Sequence, residues 1–159
     1  MQAENTYAVF DWLWSSGQLS EHDIQQLPAL GIQHVINLAP PTASNALRGE
    51  AELISGLGIN YLQLPVTWDH PEQEKLQTFI HLLASLQGQK TWVHCAKNMR
   101  VSAFIYLFRK LYLAEAEEIA AQPMQSIWQP NEVWAQFIVD AKTAARDGAL
   151  KLPEKQSVR

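Results

Sequence analysis

Short apolar segments rich in β-branched residues alternate along the chain with longer amphipathic segments. The short segments predict β-strands at 34–38, 59–66 and 91–94. The longer segments repeat their apolar residues at helical spacing and predict helices at 20–30, 47–57 and 71–86. Strands that alternate with helices of this length form parallel sheets covered on both faces. The pattern therefore predicts an α/β fold, with a central, mostly parallel sheet of about four or five strands and helices on both faces.

Capping signals mark the ends of these predicted helices. Ser20 can accept a hydrogen bond from the free amides of the first helix, and Asp23 suits the positive end of its dipole. Gly31 ends that helix, and Pro71 fits the first position of the third. The C-terminal third is predicted to hold a helix from Arg100 onward, helices at 115–121 and 131–145, a turn at Pro123 and a frayed polar tail over 147–159.

Composition limits the class of protein. A length of 159 residues suits one domain, 1–159, and an apolar fraction of 47% is ordinary for a soluble globular protein. A formal charge of −4 provides no overall basic field, so we expect no nucleic-acid partner, and no apolar run is long enough for a membrane helix. We expect no membrane partner and a cytoplasmic location, or a periplasmic one if a leader was removed. The oligomeric state is left open.

The single cysteine, Cys95, follows the third predicted strand. With one thiol the chain forms no internal disulfide, so Cys95 is either a small buried residue or a reactive group. A strand ending at His94, a tight loop and a helix beginning near Arg100 direct backbone N–H groups and the positive helix end to one point. Such a point binds an anion and favours the thiolate, a nucleophile. The candidate anion-binding residues are Ala96, Lys97, Asn98, Met99, Arg100 and Ser102.

His94-Cys95, four residues and Arg100 resemble the His-Cys-loop-Arg signature of cysteine-dependent tyrosine and dual-specificity phosphatases. That superfamily places five residues between the cysteine and the arginine, so the loop is one residue shorter here. The segment is also similar to the Val-His-Cys-Ala-x-x-x-Arg-Val pattern of a bacterial tyrosine-phosphatase-like family, related to a domain fused to β-lactamase-like hydrolases. The similarity extends, in the same order, to 16–18, 35–38, 64–66 and 127–131.

The resemblance implies a phosphatase-like fold, in which the anion loop joins the last core strand to its helix. A glycine occupies the Asn98 position in many relatives, and asparagine tolerates the same left-handed backbone. Phosphate ester cleavage also needs a proton donor. Asp69, in the loop after the second predicted strand, is the candidate general acid, with His70 as the alternative; either is otherwise an ordinary surface residue.

The other polar residues near Cys95 have more than one interpretation. His94 is expected to be buried, with its ring bonded to the loop backbone rather than donating a proton to substrate. Ser102 either donates a hydrogen bond to the thiolate or is an ordinary helix hydroxyl. Lys97 either points to solvent or leans over the mouth of the site and attracts a dianion.

Three functions are compatible with these residues. The first is hydrolysis of a phosphorylated protein or small molecule through a cysteinyl-phosphate, which needs no metal or cofactor. The second is a weakly active or inactive phosphate-binding module. The third is a rhodanese-like sulfurtransferase, since those enzymes also separate their cysteine and arginine by four residues. His94 and the flanking strands favour the phosphatase.

Overall fold

A computed structural model describes residues 1–155 of the chain. The five strands described there are β1 (Tyr7–Phe10), β2 (Leu13–Ser16), β3 (His34–Asn37), β4 (Asn60–Gln63) and β5 (Thr91–His94). The helices are α1 (Glu21–Gln26), α2 (Glu50–Gly56), α3 (Gln73–Ser85), α4 (Met99–Leu107), α5 (Glu117–Ile127) and α6 (Glu132–Arg146), with a π-helical segment (Phe108–Tyr112) after α4. None of the helices within 1–155 is long and apolar enough to cross a membrane.

The strands form one sheet in the order β1-β2-β5-β3-β4. β1 runs antiparallel to β2, and the other neighbouring strands are parallel. This confirms the predicted α/β fold with a mostly parallel sheet. β5 lies at the centre between β2 and β3, whereas β4 forms one edge. The carboxyl end of β5 therefore has a parallel strand on each side, which is where ligands bind in open α/β sheets.

Successive residues along the strands face two separate hydrophobic cores. Ile36 and Val93 belong to the larger core, which contains residues of α3, α4, α5 and α6. Val35 and Trp92, one position earlier, belong to the smaller core beside α1 and α2. Adjacent strand residues point to opposite faces of a sheet. The helices therefore cover both faces, as predicted.

The sequence pattern did not predict β1 and β2. β2 lacks an apolar alternation because two of its four residues, Ser15 and Ser16, are serines that are nonetheless buried. Their hydroxyls accept hydrogen bonds from Asn98 Nδ2 and Trp92 Nε1, which satisfies the polar atoms inside the sheet. Strand propensities alone do not predict a strand whose buried side chains are polar and hydrogen-bonded.

Several helix boundaries differ from the predictions. α2 begins at Glu50 rather than at 47, because Gly49 has a left-handed φ of 78° that is incompatible with a helix. α3 begins at Gln73, so Pro71 precedes the N-cap. The predicted turn at Pro123 is wrong, since this residue lies inside α5. Its ring is buried, although proline donates no backbone hydrogen bond inside a helix.

The predicted frayed tail over 147–159 is wrong for its first part. Leu150 is buried, and Leu152 packs against the larger core. Lys151 N donates to Gln77 Oε1 at 2.7 Å, and the Lys151 carbonyl contacts His81 Nε2 at 2.8 Å. Residues 156–159 lie outside the described residues. The cap predicted at Ser20 is present, with Asp23 N donating to Ser20 Oγ at 3.0 Å, and the Asp23 side chain also accepts from Ser20 N, which completes a capping box.

Candidate active site

The loop between β5 and α4 begins at Cys95 and turns at Asn98, which is the N-cap of α4. Asn98 has φ 67° and ψ 11°, the left-handed backbone expected from the sequence. Its Nδ2 donates to the Asn5 carbonyl at 2.7 Å and to Ser15 Oγ at 3.0 Å. The turn is therefore fixed from below by β2 and by the N-terminal segment.

Gly17 gives the loop a close-packed support. A Cβ at this position would lie 2.8 Å from the Ala96 carbonyl oxygen and 3.1 Å from Lys97 Cα, so a larger side chain would displace the loop. Gln18 N donates to the Ala96 carbonyl at 3.1 Å, and Asn5 Nδ2 donates to the Lys97 carbonyl at 3.0 Å. These contacts take the loop carbonyls away from the cavity and hold the loop backbone in place.

A cavity of about 410 Å³ lies over this loop. Its lining consists of Ser44, Trp68, Cys95, Ala96, Lys97, Met99 and Arg100. Cys95 is 1% exposed, so its thiol is largely protected from bulk solvent. Among residues 1–155, the N–H groups of Ala96 and Lys97 have no hydrogen-bond acceptor. Free amides, the start of a helix and a cationic side chain are the groups that favour an anion in such a cavity.

Arg100 projects from the first turn of α4 into the lining of this cavity. Its Nη1 donates to the Val66 carbonyl at 2.9 Å, and its guanidinium carbon lies 5.9 Å from the centroid of the Trp68 ring. Trp68 packs in turn against Trp128 and Trp134, at centroid distances of 5.4 and 5.8 Å. The guanidinium is held between α4 and the loop after β4, and it has further N–H groups for an oxyanion.

The His94 side chain is buried behind the loop, as predicted. Its Nδ1 lies 3.2 Å from the Cys95 carbonyl, and its Nε2 lies 2.7 Å from Glu50 Oε2. Glu50 is not among the site residues predicted from the sequence. It shares the inward face of α2 with the buried Ile54, four residues later, and a charged residue on the apolar face of a helix is the signal that would have found it.

Glu50 is the centre of a buried polar network. Gln18 Nε2 donates to its Oε1, and Asn37 Nδ2 lies 3.4 Å from its Oε2. Burial alone would raise the pKa of Glu50, but hydrogen bonds and the charge interaction with His94 outweigh it, and the pKa is held below its ordinary value. Burial, together with the nearby Glu50 charge, raises the pKa of Tyr61, which stays a neutral phenol.

The other predicted site residues are less closely associated with Cys95. Ser102 Oγ donates to the Met99 carbonyl and accepts from Trp128 Nε1, so the structure supports a helix hydroxyl rather than a donor to the thiolate. Lys97 is exposed at the edge of the cavity. Asp69 and His70 are also exposed and line a different cavity, beside Asp140 of α6. Within residues 1–155, His, Cys, Asp and Glu side chains form no group of three that could hold a metal ion.

Comparison with known proteins identifies the family of this fold and loop. No family model matches the chain. The chain is 34% identical over 121 residues to mouse dual specificity protein phosphatase 26, an alignment covering 67% of this chain and 55% of that protein. A crystal structure of a DUF442 protein from Shewanella putrefaciens has a TM-score of 0.81 and 26% identity, covering 91% of this chain and 95% of that one. The chain belongs to the tyrosine and dual-specificity phosphatase-like superfamily.

This membership confirms the resemblance drawn from the Cys95 loop. The core catalytic domain of the yeast phosphatase SIW14 shares the fold at 16% identity, with a TM-score of 0.72 over 97% of this chain and 99% of that one. The chain spans about half the length of the curated relatives that it matches, since it covers 55% of them.

Proposed function

We propose that the chain hydrolyses phosphate monoesters through a covalent cysteinyl-phosphate. The observation that carries this proposal is the single cavity lined by Cys95, by the free amides of Ala96 and Lys97 and by Arg100. The relatives named above are phosphatases by name, which favours this activity over a phosphate-binding module or a sulfurtransferase. The substrate is a phosphorylated protein or small molecule.

The proposed reaction has two steps that return the enzyme to its starting state. The Cys95 thiolate attacks phosphorus, an S–P bond forms, and the ester P–O bond breaks. Arg100 and the loop amides stabilise the charge on the non-bridging oxygens, and a general acid protonates the leaving oxygen. Water then attacks the phosphocysteine and gives its proton to the deprotonated acid, the S–P bond breaks, and inorganic phosphate, the thiolate and the protonated acid result.

Asp69 is our candidate for the general acid. It directly follows Trp68, whose ring lines the Cys95 cavity, so the two residues share a backbone segment at its edge. Asp69 itself lines a different cavity, so the proposal includes a rotation of the exposed segment after Trp68 that brings its carboxyl group to the leaving oxygen. His70 is the alternative donor on the same segment.

Turnover of p-nitrophenyl phosphate by the wild-type chain tests this function. Cys95→Ser should abolish turnover, with a loss on the order of 10⁶-fold, because the thiolate is the nucleophile of the first step. The substituted protein should still bind phosphate, since Arg100 and the loop amides remain. Equal activity in both proteins, or turnover of thiosulfate and cyanide by the wild type in place of the ester, would contradict the proposal.

A further inference from the structure

Both nitrogens of the His94 ring face hydrogen-bond acceptors. Nδ1 lies 3.2 Å from the Cys95 carbonyl oxygen, which can only accept, and Nε2 lies 2.7 Å from Glu50 Oε2. An ionised carboxylate also can only accept. If Glu50 is ionised, each ring nitrogen must therefore carry a proton, and His94 is an imidazolium cation.

The surroundings of Glu50 favour its ionised form. Gln18 Nε2 and Asn37 Nδ2, two amide N–H donors, both point at the carboxyl oxygens, and His94 approaches the same oxygen as Asn37. A protonated carboxyl group would donate to His94 Nε2 and leave a neutral ring, but it is a poorer acceptor than a carboxylate for the amide donors around it, so these donors favour the ionised form. The lowered pKa of Glu50 agrees with this arrangement. Glu50 and His94 form a buried hydrogen-bonded pair, with 2.7 Å between Glu50 Oε2 and His94 Nε2, and His94 is the residue next to the nucleophile.

The same contact sets the direction of a backbone group in the cavity. In a trans peptide the C=O and N–H groups point in opposite directions. The Cys95 carbonyl points back toward His94, so the N–H of Ala96, in the same peptide plane, points away from His94. This N–H has no acceptor within residues 1–155, and Ala96 lines the cavity.

We propose that Glu50 is a positioning residue that holds His94 as an imidazolium, and that the imidazolium fixes the Cys95–Ala96 peptide and favours the Cys95 thiolate. The inference deepens the proposed function, because it takes Cys95 as the nucleophile of that reaction. Through His94, the Glu50 side chain of α2 thereby acts on the anion loop, although Glu50 lies 45 positions before Cys95 in the sequence.

Other charged groups surround this pair, and they separate into two sets. Tyr61, Glu52 and Arg48 line a cavity of about 230 Å³ that Glu50 also lines and Cys95 does not. Arg100 and Lys97 line the cavity over Cys95. Neither cation of the second set hydrogen-bonds to Glu50 or His94 within the described residues, so a substitution at Glu50 removes no contact of the Arg100 or Lys97 side chain.

The experiment measures the protonation of His94 and the reactivity of Cys95 without using turnover. The ¹⁵N spectrum of the wild-type chain near neutral pH should show both His94 nitrogens protonated. The rate of Cys95 alkylation by iodoacetate is then followed over a pH series in the wild type, Glu50→Gln and Glu52→Gln. Glu52 is the matched control, because it is an exposed carboxylate on α2 that lines the same cavity as Glu50.

Glu50→Gln should convert His94 to a singly protonated ring and move the midpoint of the alkylation profile upward by about one pH unit, a roughly tenfold slower reaction on the acid side. Glu52→Gln should leave both readouts unchanged. A profile that does not move in Glu50→Gln, or that moves equally in Glu52→Gln, overturns the inference.

Two further outcomes are decisive. A singly protonated His94 in the wild type overturns the inference without any variant, so the test holds even where Glu50→Gln fails to fold. A chain that turns over no phosphate ester, but whose alkylation profile moves with Glu50→Gln alone, overturns the proposed function and supports the inference.

Discussion

Two loops meet at the carboxyl edge of the sheet, and they are held to very different degrees. The loop that begins at Cys95 follows the central strand β5 and is bonded to β2, to the N-terminal segment and, through His94, to α2. The loop with Asp69 follows the edge strand β4. It is tied at Trp68, whose carbonyl accepts from Trp134 Nε1 at 2.9 Å, and its next two residues are exposed.

The difference suggests a division of labour in the proposed reaction. The groups that must hold charge in a fixed geometry lie on the braced loop, where preorganisation lowers the cost of stabilising a transition state. The proposed proton donor lies on the edge, where the backbone has fewer partners to lose when it moves. The predictions below test this division in order of decreasing effect.

The largest effect is expected from Asp69→Asn. If Asp69 protonates the leaving oxygen, esters with poor leaving groups should react about 10²- to 10⁴-fold more slowly, and p-nitrophenyl phosphate should be affected less. A series of aryl and alkyl phosphates measures this dependence. Asp140→Asn, which removes a carboxylate from the same cavity, is the control. If Asp69→Asn slows all esters equally, Asp69 is not the general acid. If the dependence on the leaving group disappears in His70→Asn instead, His70 is the general acid.

Arg100→Lys should slow turnover by about 10²- to 10³-fold, the usual cost of one lost oxyanion donor. A lysine lacks the planar fork, so it cannot bond to the Val66 carbonyl and also bind two oxygens of a phosphate. Steady-state kinetics and phosphate titration measure the change. Arg48→Lys, which changes an exposed arginine just before α2 and outside the Cys95 cavity, should change neither. Unchanged phosphate affinity in Arg100→Lys would mean that Arg100 is structural.

Gly17→Ala should damage the braced loop from below without removing any polar group. The added Cβ would lie 2.8 Å from the Ala96 carbonyl oxygen, so the loop must shift, and such overpacking costs about 1–3 kcal/mol of the free energy of unfolding. Urea unfolding and the protection of Cys95 by phosphate against iodoacetate report the two effects. Gly56→Ala, where no other atom lies within 4 Å of the new Cβ, is the control. Equal results for the two variants would show that Gly17 does not support the loop.

The smallest effect concerns Asp23, which anchors the N-terminal segment through the Gln2 N–H. Burial would raise the pKa of Asp23, but hydrogen bonds from Gln2 and Ser20 lower it overall. A lowered pKa means that this stabilisation is complete above the ordinary aspartate pKa and is lost as the pH falls through the lowered value. Asp23→Asn should therefore flatten the acid end of the stability profile in urea unfolding, whereas Glu21→Gln, an exposed neighbour, should not. An unchanged profile in Asp23→Asn would show that the anchor adds no stability.

The sequence predicted the braced loop better than the rest of the site, for physical reasons. A strand, a cysteine, a left-handed asparagine and a helix leave local signals, so the roles of His94 and Asn98 could be inferred from their neighbours along the chain. The roles of β2 and Glu50 could not be inferred in this way, because both depend on hydrogen bonds to residues distant in sequence. The exposed segment after Trp68 is likewise set by packing of Trp68 against α6 rather than by its own composition.

The contacts that support the anion loop from β2 and from the N-terminal segment also bear on the order of folding. Ser16 meets Trp92 across 76 positions of chain, and Asn98 meets Asn5 across 93. Closing such long segments carries an entropic cost and slows folding. During synthesis β2 leaves the ribosome well before β5, the strand with which it pairs. The contacts of β2 with the anion loop can therefore form only after β5 has been made. We therefore expect the anion loop to reach its final structure late in folding, after β2 and β3 have both paired with β5.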